Sequence, residues 1–141
     1  MIDNTQEIAK KFYGNRIRIR VCGICIENNQ VLMVCHKGVI NDKDVWLPPG
    51  GGMEEGETVK QALRREFLEE TGFEIEVENF LYKREFIHVP LHAIELYFNV
   101  RILSGELIKG TDPEINADAQ LIKEVRFIPV QNRDFLQKMY I

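Results

Sequence analysis

The sequence lacks any apolar run that approaches the roughly 20 residues of a membrane-spanning helix. Its first residues also lack both the basic start and the apolar stretch that mark a secretory signal peptide. We therefore expect neither membrane insertion nor secretion, and we predict that the protein resides in the cytoplasm.

An excess of positive charge is equally absent. The 18 Lys and Arg residues are outnumbered by 22 Asp and Glu residues, which gives a formal net charge of −4 at pH 7. A domain that binds nucleic acid or a membrane surface through bulk electrostatics is expected to be basic, so no partner of either kind is predicted. An anionic ligand would require positive charge that is supplied locally or recruited as a metal ion.

Cysteine is scarce as well, and the count of three is odd. Cys22 and Cys25 have a spacing found in redox and zinc motifs, but they lie in a segment, residues 17–26, that is predicted to form a strand. Residues three apart in a strand face opposite sides and lie about 10 Å from each other, which excludes a disulfide and a shared metal ion. We therefore expect Cys22 and Cys25 to be small buried thiols. With Cys35 the number of cysteines is odd, which suits a reducing compartment.

The chain length and composition are those of one globular domain. Its 141 residues are 45% apolar and 28% charged, which is enough to bury a core without disulfides or structural metals. We therefore predict that residues 1–141 form a single domain.

Hydrophobic periodicity and turn residues predict strands around one main helix. A single main helix among strands predicts an α+β sandwich with a mixed sheet. In chain order, the predicted elements are a short helix at 3–12, a hairpin of strands at 16–27 and 31–36 with a turn at Asn28 and Asn29, a loop at 37–45, the main helix at 58–71, strands at 74–82 and 93–103 flanking a loop with His88 and Pro90, a last strand at 121–129 and a short helix at 133–140.

The ends of the main helix are marked by capping residues. Thr58 and Gln61 have the spacing of a capping box, which predicts that the helix begins after Thr58. Gly72 is placed as a left-handed C-terminal cap, which predicts the end of the helix.

Three glutamates of this helix occupy positions where an ordinary amphipathic helix keeps apolar side chains. With Val59 at zero and about 100° per residue, Glu66 lies near −20°, Glu70 near +20° and Glu69 near −80°. Two carboxylates therefore point with the buried stripe and the third lies at its edge, in the half of the helix where the macrodipole disfavours negative charge. The arrangement is unfavourable unless it binds a cation.

A glycine triplet, Gly50-Gly51-Gly52, leads into the helix and is weak information by itself. The whole segment from Gly51 to Phe73, however, resembles the Nudix box, G-x5-E-x7-R-E-U-x-E-E-x-G-U, of the Nudix hydrolase (MutT-like) superfamily, with every fixed letter present. The bulky Phe67 at the first U position is a departure that bears on packing. The resemblance implies a Nudix-type α/β/α sandwich with a mixed β-sheet.

The resemblance also implies a metal site. Glu66, Glu69 and Glu70 would be the ligands of Mg²⁺, or of Mn²⁺, and a loop carbonyl near Gly50 or Gly51 would complete the shell. Carboxylate oxygens are the ligands that these hard cations prefer, and the cations in turn bridge to substrate phosphates.

Further catalytic roles follow from the same resemblance. Arg65 would hold a box glutamate in place, and Glu57 would brace the loop or support the metal shell through water. The residue that orients the attacking water is not identified by the resemblance. The candidates are Glu66 or Glu69 on the helix and Glu114 outside the box. For Glu114, an exposed loop acid is an equal alternative.

The implied reaction is hydrolysis of a nucleoside diphosphate that is linked to a second group. A nucleotide sugar or ADP-ribose is slightly preferred, because sequences that sanitise oxidised nucleotides often carry lysine where this chain has Gly52. The alternatives are a housecleaning pyrophosphatase of modified or non-standard (d)NTPs and a module that senses a nucleotide without turnover.

Four residues are candidates for substrate binding. Arg18, Arg20 and Lys37 are candidates for contacts to phosphate oxygens, and Trp46 is a candidate for stacking on a base. Surface charge and core packing are the competing interpretations. A homodimer is possible by analogy with resembling proteins.

Overall fold

The computed structural model describes residues 16–40, 43–108 and 122–131, together with residue 7. The predicted helix at 133–140 and the candidate Glu114 lie outside the described residues, as does the predicted helix at 3–12 apart from residue 7. In chain order, the elements are β1 (Ile17–Ile24), β2 (Ile26–Glu27), β3 (Gln30–Ile40), β4 (Lys43–Leu47), β5 (Gly50–Gly52), α1 (Val59–Thr71), β6 (Phe73–His88), β7 (Leu91–Gly105) and β8 (Ile122–Pro129).

The strands form two sheets with α1 packed against them. The first sheet has the order β5-β1-β7-β6 and is mixed, because β1 and β7 run parallel while its other pairs are antiparallel. In the second sheet β3 pairs with β2, β4 and β8, all antiparallel. The predicted α+β sandwich with a mixed sheet is confirmed.

The main core lies between α1 and the sheets. Leu63 and Phe67 from the helix pack with Val21 of β1 and Leu32 of β3, and all four side chains are fully buried. Gly23 makes room for the bulky Phe67, since a Cβ atom on this glycine would collide with the phenyl ring. The departure from the usual aliphatic residue is therefore accommodated by the neighbouring strand.

The predicted helix boundaries are confirmed. The Thr58 hydroxyl accepts a hydrogen bond from the Gln61 N–H at 3.1 Å, and the Thr58 N–H donates to the Gln61 side chain at 3.0 Å. Gly72 ends the helix in the left-handed region, with φ at 82°. The turn at Asn28 and Asn29 is confirmed, because their φ of 52° and 60° are those of a tight hairpin turn. The predicted first strand, 16–27, is divided in two: only β2 pairs with β3 in this hairpin, whereas β1 pairs with β5 and β7 in the other sheet.

Two predicted loops are wrong in extent. The loop at 37–45 is largely strand, since β3 continues to Ile40 and β4 begins at Lys43. The loop with His88 and Pro90 is reduced to the turn between β6 and β7. These segments lack an alternating apolar pattern, but pairing with a neighbouring strand satisfies their backbone hydrogen bonds.

All three cysteines are buried free thiols, as expected for Cys22 and Cys25. Cys25 belongs to the core that faces α1. Burial raises the pKa of the Cys25 thiol to about 11, with a smaller contribution from the nearby Glu27 carboxylate. Within the described ranges, no helix has the length and apolar character needed to cross a membrane.

Candidate active site

The three glutamates of α1 lie as the helical wheel predicts. Glu66 and Glu70 are buried, with 2% and 1% of their surface exposed, and they point with the apolar stripe toward β5. Glu69 lies at the edge of the stripe, with 19% of its side chain exposed. The helix thus delivers two carboxylates into the interior and keeps the third within reach of solvent.

The glycine strand β5 receives these carboxylates. The Gly50 N–H donates to Oε1 of Glu70 at 2.8 Å. A Cβ atom on Gly51 would lie 2.5 Å from Cδ of Glu66 and 2.6 Å from both of its carboxylate oxygens. The absence of side chains on β5 therefore lets the carboxylate of Glu66 pack directly against the backbone, and a larger residue at position 51 would displace it.

Arg65 clamps the loop to the helix. Its guanidinium binds Glu57 with two hydrogen bonds, at 2.7 Å from Nε and 2.9 Å from Nη2. The same group donates to the Gly52 carbonyl at 3.1 Å and to Oε1 of Glu66 at 2.9 Å. A longer contact of 3.5 Å reaches Glu69. One arginine therefore ties the end of β5, the following loop and two α1 glutamates together.

Electrostatics in this clamp keep both partners ionised. The hydrogen bonds from Arg65 lower the pKa of the Glu57 carboxyl, against the opposing effect of burial. The bonds to Glu57, followed by the charge of Glu66, raise the pKa of the Arg65 guanidinium. Glu57 is therefore a carboxylate throughout the neutral range, and its charge is matched locally.

The carboxylates of Glu66, Glu69 and Glu70 fit a hard divalent cation. Among the described residues, the Arg65 guanidinium lies within 4 Å of the carboxylates of Glu54, Glu57, Glu66 and Glu69, so several carboxylates share this guanidinium. The Oε2 atoms of Glu66 and Glu70 are buried and take no hydrogen bond within the described ranges, although both residues have other electrostatic neighbours. Carboxylate oxygens packed on a glycine backbone are the donor type that Mg²⁺ and Mn²⁺ bind.

The described part of the chain contains no ready-made cage of three His, Cys, Asp or Glu side chains. Glu66, Glu69 and Glu70, the three predicted ligands, therefore do not form a preassembled cage here. The bonds that Arg65 makes to Glu66 and Glu69 also draw these carboxylates toward the guanidinium.

The candidate substrate residues fall into two groups. Arg18 lies against β5, because its Nη2 atom would be 2.6 Å from a Cβ atom on Gly52. Arg20 is buried and forms an ion pair of 3.1 Å with Glu95. Both arginines therefore lie beside the glycine strand, on β1.

Lys37 and Trp46 belong to the other sheet. Lys37 is exposed on β3. Trp46 packs with Met33 and Ile128, and the Arg126 guanidinium lies 4.8 Å from the centre of its ring. The structure therefore places these two candidates on a different sheet from the glycine strand β5.

Glu95 is a residue that sequence reasoning missed. It is buried on β7, and its carboxylate accepts hydrogen bonds from Arg20 at 3.1 Å and from the Tyr97 hydroxyl at 3.2 Å. Arg84 approaches it at 3.9 Å. Because Glu95 alternates with apolar residues along its strand, the pattern is that of an ordinary solvent-facing position, and no local signal marks it.

Comparisons with known proteins agree with this geometry. The sequence profile described as the NUDIX domain matches residues 15–138. Over 66 residues the chain is 44% identical to nucleoside triphosphatase NudI of Enterobacter sp. strain 638, which covers 44% of this chain and 45% of that protein. Over 117 residues it is 32% identical to the ADP-ribose pyrophosphatase of Methanocaldococcus jannaschii, and this aligned region covers 81% of this chain and 63% of that protein.

A solved structure shows the same fold. A NUDIX hydrolase from Nitrosomonas europaea superposes with a TM-score of 0.72 at 18% identity, over 89% of this chain and 82% of that chain. The chain belongs to the Nudix family, whose members generally use divalent metal ions and act on small nucleotide-derived substrates. It spans 45% and 63% of the length of the two curated relatives named above.

Proposed function

We propose that this protein is a divalent-metal-dependent pyrophosphohydrolase, which cleaves the diphosphate of a nucleoside diphosphate that is linked to a second group. The observation that carries the proposal is the placement of two buried carboxylates, Glu66 and Glu70, against the side-chain-free strand β5. An arrangement that costs stability in an ordinary helix is explained by the need to hold a cation.

Glu66, Glu69 and Glu70 would hold Mg²⁺, or Mn²⁺, together with a backbone carbonyl near Gly50 or Gly51. The bound ion supplies neutralisation of the diphosphate, polarisation of the P–O bond and a lower pKa of the attacking water. The role of the protein is to keep these oxygen ligands in position while the diphosphate binds.

Arg65 and Glu57 would perform this positioning. The two-point bond between them fixes the guanidinium, which in turn holds the Glu66 carboxylate and the Gly52 carbonyl. A guanidinium fixed at both ends can orient a carboxylate more strictly than a single ion pair can.

Glu69 is our candidate for orienting the attacking water. Its side chain is the most exposed of the three α1 carboxylates, and its contact to Arg65, at 3.5 Å, is longer than the 2.9 Å bond from Arg65 to Glu66. Solvent can reach Glu69 more easily than it can reach the buried Glu66 and Glu70. Glu114 lies outside the described residues, and its role as the base stays a prediction.

For the substrate, we propose a molecule of the ADP-ribose or nucleotide-sugar type. The match to the relative named ADP-ribose pyrophosphatase extends over 81% of this chain. The alternative is a modified or non-standard (d)NTP, because a relative named nucleoside triphosphatase is 44% identical over a shorter stretch. We also propose that residues 1–141 act as one domain, since the family match spans residues 15–138.

A product-resolved screen tests this proposal. The protein is incubated with ADP-ribose, nucleotide sugars and (d)NTPs, in Mg²⁺ or in Mn²⁺, and the products are separated. We expect AMP and ribose 5-phosphate from ADP-ribose, whereas the alternative substrate class would release pyrophosphate. If the protein hydrolyses none of these compounds but still binds a nucleotide, the enzyme proposal is wrong and a nucleotide-sensing module is the better interpretation.

A further inference from the structure

Strand β6 is buried at its start and exposed in its second half. Phe73, Ile75 and Val77 belong to the core beneath α1, whereas Tyr82 and Ile87 are 50% and 59% exposed. Among the described strands, β6 is the last in its sheet and pairs only with β7. An edge of this kind offers a row of backbone N–H and C=O groups to another strand.

The exposed half of β6 is a regular strand. From Tyr82 to His88 it pairs with β7 residue by residue, and the irregularities in this pairing all lie before Tyr82. Lys83, Glu85 and Ile87 alternate along it and are all exposed. We call residues 82–88 the β6 edge. Its length of about 20 Å is enough for a further strand to pair with it.

The geometry of strands limits the ways in which two β6 edges can pair. Two copies of the chain related by a two-fold axis would pair their β6 edges antiparallel. Side chains that face each other across a strand pair lie on the same side of the sheet, and side chains alternate along each strand. The two-fold axis must therefore pass through a residue of β6 and not between two residues, which leaves few registers.

The charges of Lys83 and Glu85 distinguish these registers. An axis through Lys83 places two lysines opposite each other, and an axis through Glu85 does the same with two glutamates. Axes through Tyr82 or Phe86 pair neither charge with its opposite. Of these axes, only one through Arg84 places Lys83 of each copy opposite Glu85 of the other, which gives two stabilising pairs of opposite charge.

The other face of the β6 edge agrees with the same register. An axis through Arg84 places Tyr82 of each copy opposite Phe86 of the other, and aromatic pairs of this kind stabilise strand pairing. The two Arg84 side chains would also face each other, but each lies 3.9 Å from the Glu95 carboxylate of its own chain. The repulsion between the two arginines is therefore reduced within each copy.

We propose that two copies of this chain form a dimer through their β6 edges, antiparallel about Arg84, so that the first sheet continues from one copy into the other. A lysine on an edge strand ordinarily opposes such pairing. Here Glu85 supplies the opposite charge at the matching position, so the charges select one register instead of blocking all of them. This dimer goes beyond the proposed hydrolysis and does not depend on it.

Sedimentation equilibrium of the parent protein over a range of concentrations measures the association. The pairing of one short strand edge buries less surface than the roughly 1,600 Å² of a standard interface, so we expect a reversible dimer with a Kd in the micromolar range. A parent protein that is still monomeric at about 0.5 mM would overturn the proposal.

Charge reversal tests the register. Lys83→Glu places two glutamates opposite each other at both ends of the interface, and Glu85→Lys does the same with two lysines. Each variant alone should dimerise at least about tenfold more weakly than the parent. An equal mixture of the two variants should regain the association of the parent, because each glutamate then faces a lysine. Variants that dimerise as the parent does, or that stay monomeric in the mixture, would overturn the proposal.

The controls separate the register from net charge and from folding. Lys60→Glu and Glu106→Lys change the charge of the chain by the same amounts at exposed positions outside β6, and neither should alter the Kd. Glu85→Lys also loses a contact of 3.0 Å with the partly exposed His92, a surface pair whose loss should barely change the melting temperature. The double variant Lys83→Glu with Glu85→Lys restores both charge pairs and should dimerise as the parent does.

Amide hydrogen exchange locates the interface independently. The N–H groups of the β6 edge that point away from β7 should exchange more slowly as the protein concentration rises through the Kd. Amides of the exposed strand β2 should exchange at the same rate throughout. A dimer whose β6 edge exchanges as fast as that of the monomer would have its interface elsewhere, and the proposal would be wrong.

Discussion

Replacement of Arg65 by lysine tests whether the clamp depends on the planar guanidinium. Lysine keeps the positive charge but cannot reproduce the two-point bond to Glu57 while also contacting the Gly52 carbonyl and Glu66. The buried Glu66 carboxylate and the loop after β5 would therefore lose fixed partners. We expect both the stability and the activity to fall.

The size of the effect follows from the hydrogen bonds that a lysine cannot make. A hydrogen bond to a charged group contributes about 1.5–3 kcal/mol, and we take the lower part of this range because 22% of the Arg65 side chain is exposed. Removal of one or two such bonds therefore costs about 1.5–3 kcal/mol. For a domain of this size, that lowers the melting temperature by about 5–10 °C.

The activity should fall more than the stability alone would explain. A carboxylate that moves by about 1 Å can reduce turnover about a hundredfold, and Arg65 is the group that fixes Glu66. We expect kcat to fall by between about tenfold and a hundredfold, at a temperature where the variant is still folded.

Arg64→Lys is the matched control. Arg64 is the preceding residue of α1, is mostly exposed, and makes one ion pair of 3.5 Å with Glu76. Its replacement should change the free energy of unfolding by less than about 0.5 kcal/mol. The measurement is thermal and urea unfolding of both variants, with steady-state kinetics. If Arg65→Lys unfolds and turns over like Arg64→Lys, the reasoning about the clamp is refuted.

Three further predictions concern the same cluster. Gly51→Ala should displace the Glu66 carboxylate and reduce Mg²⁺-dependent turnover by at least tenfold. A titration with Mg²⁺ should show weaker binding of the ion, and unchanged Mg²⁺ binding would contradict the tight packing of Glu66 against Gly51. Glu70→Gln should lose most turnover, while its free energy of unfolding without metal should be higher than that of the parent or at most about 1 kcal/mol lower, because the amide oxygen still accepts the hydrogen bond from Gly50 and a buried charge is removed. A large loss of stability in calorimetry would show that Glu70 is a structural partner. Because the pKa of Glu57 is lowered in the folded protein, its carboxylate contributes stability that is fully present above pH 4.5 and is lost as the pH falls through the lowered pKa. Glu57→Gln should therefore flatten the acid limb of a curve of unfolding free energy against pH, and an unaltered limb would argue against this contribution.

The sequence predicts the main helix and its caps because these features are local. The capping box at Thr58, the left-handed Gly72 and the direction of Glu66 and Glu70 depend on residues within a few turns of one another. The helical wheel therefore gives the correct burial order of the glutamates before any tertiary contact is considered.

Features that depend on distant pairing are less predictable. β3 extends to Ile40 and β4 begins at Lys43 because the two strands pair with each other, and the polar side chains of this part of the sequence do not indicate that pairing. Glu95 joins Arg20 across 75 residues of sequence, and neither residue has a local pattern that identifies its partner. A charge at a solvent-facing strand position and a charge in a buried ion pair look the same in one sequence.

The dependence of hydrolysis on Mg²⁺ tests the central claim most directly. The parent protein, the double variant Glu69→Gln with Glu70→Gln, and the exposed β6 control Glu74→Gln are stripped with a chelator and assayed with the best substrate while Mg²⁺ is restored. We expect turnover to return in the parent and in Glu74→Gln, and to stay at least about a hundredfold lower in the double variant at every Mg²⁺ concentration. Hydrolysis without a divalent ion, or full activity in the double variant, would contradict the account.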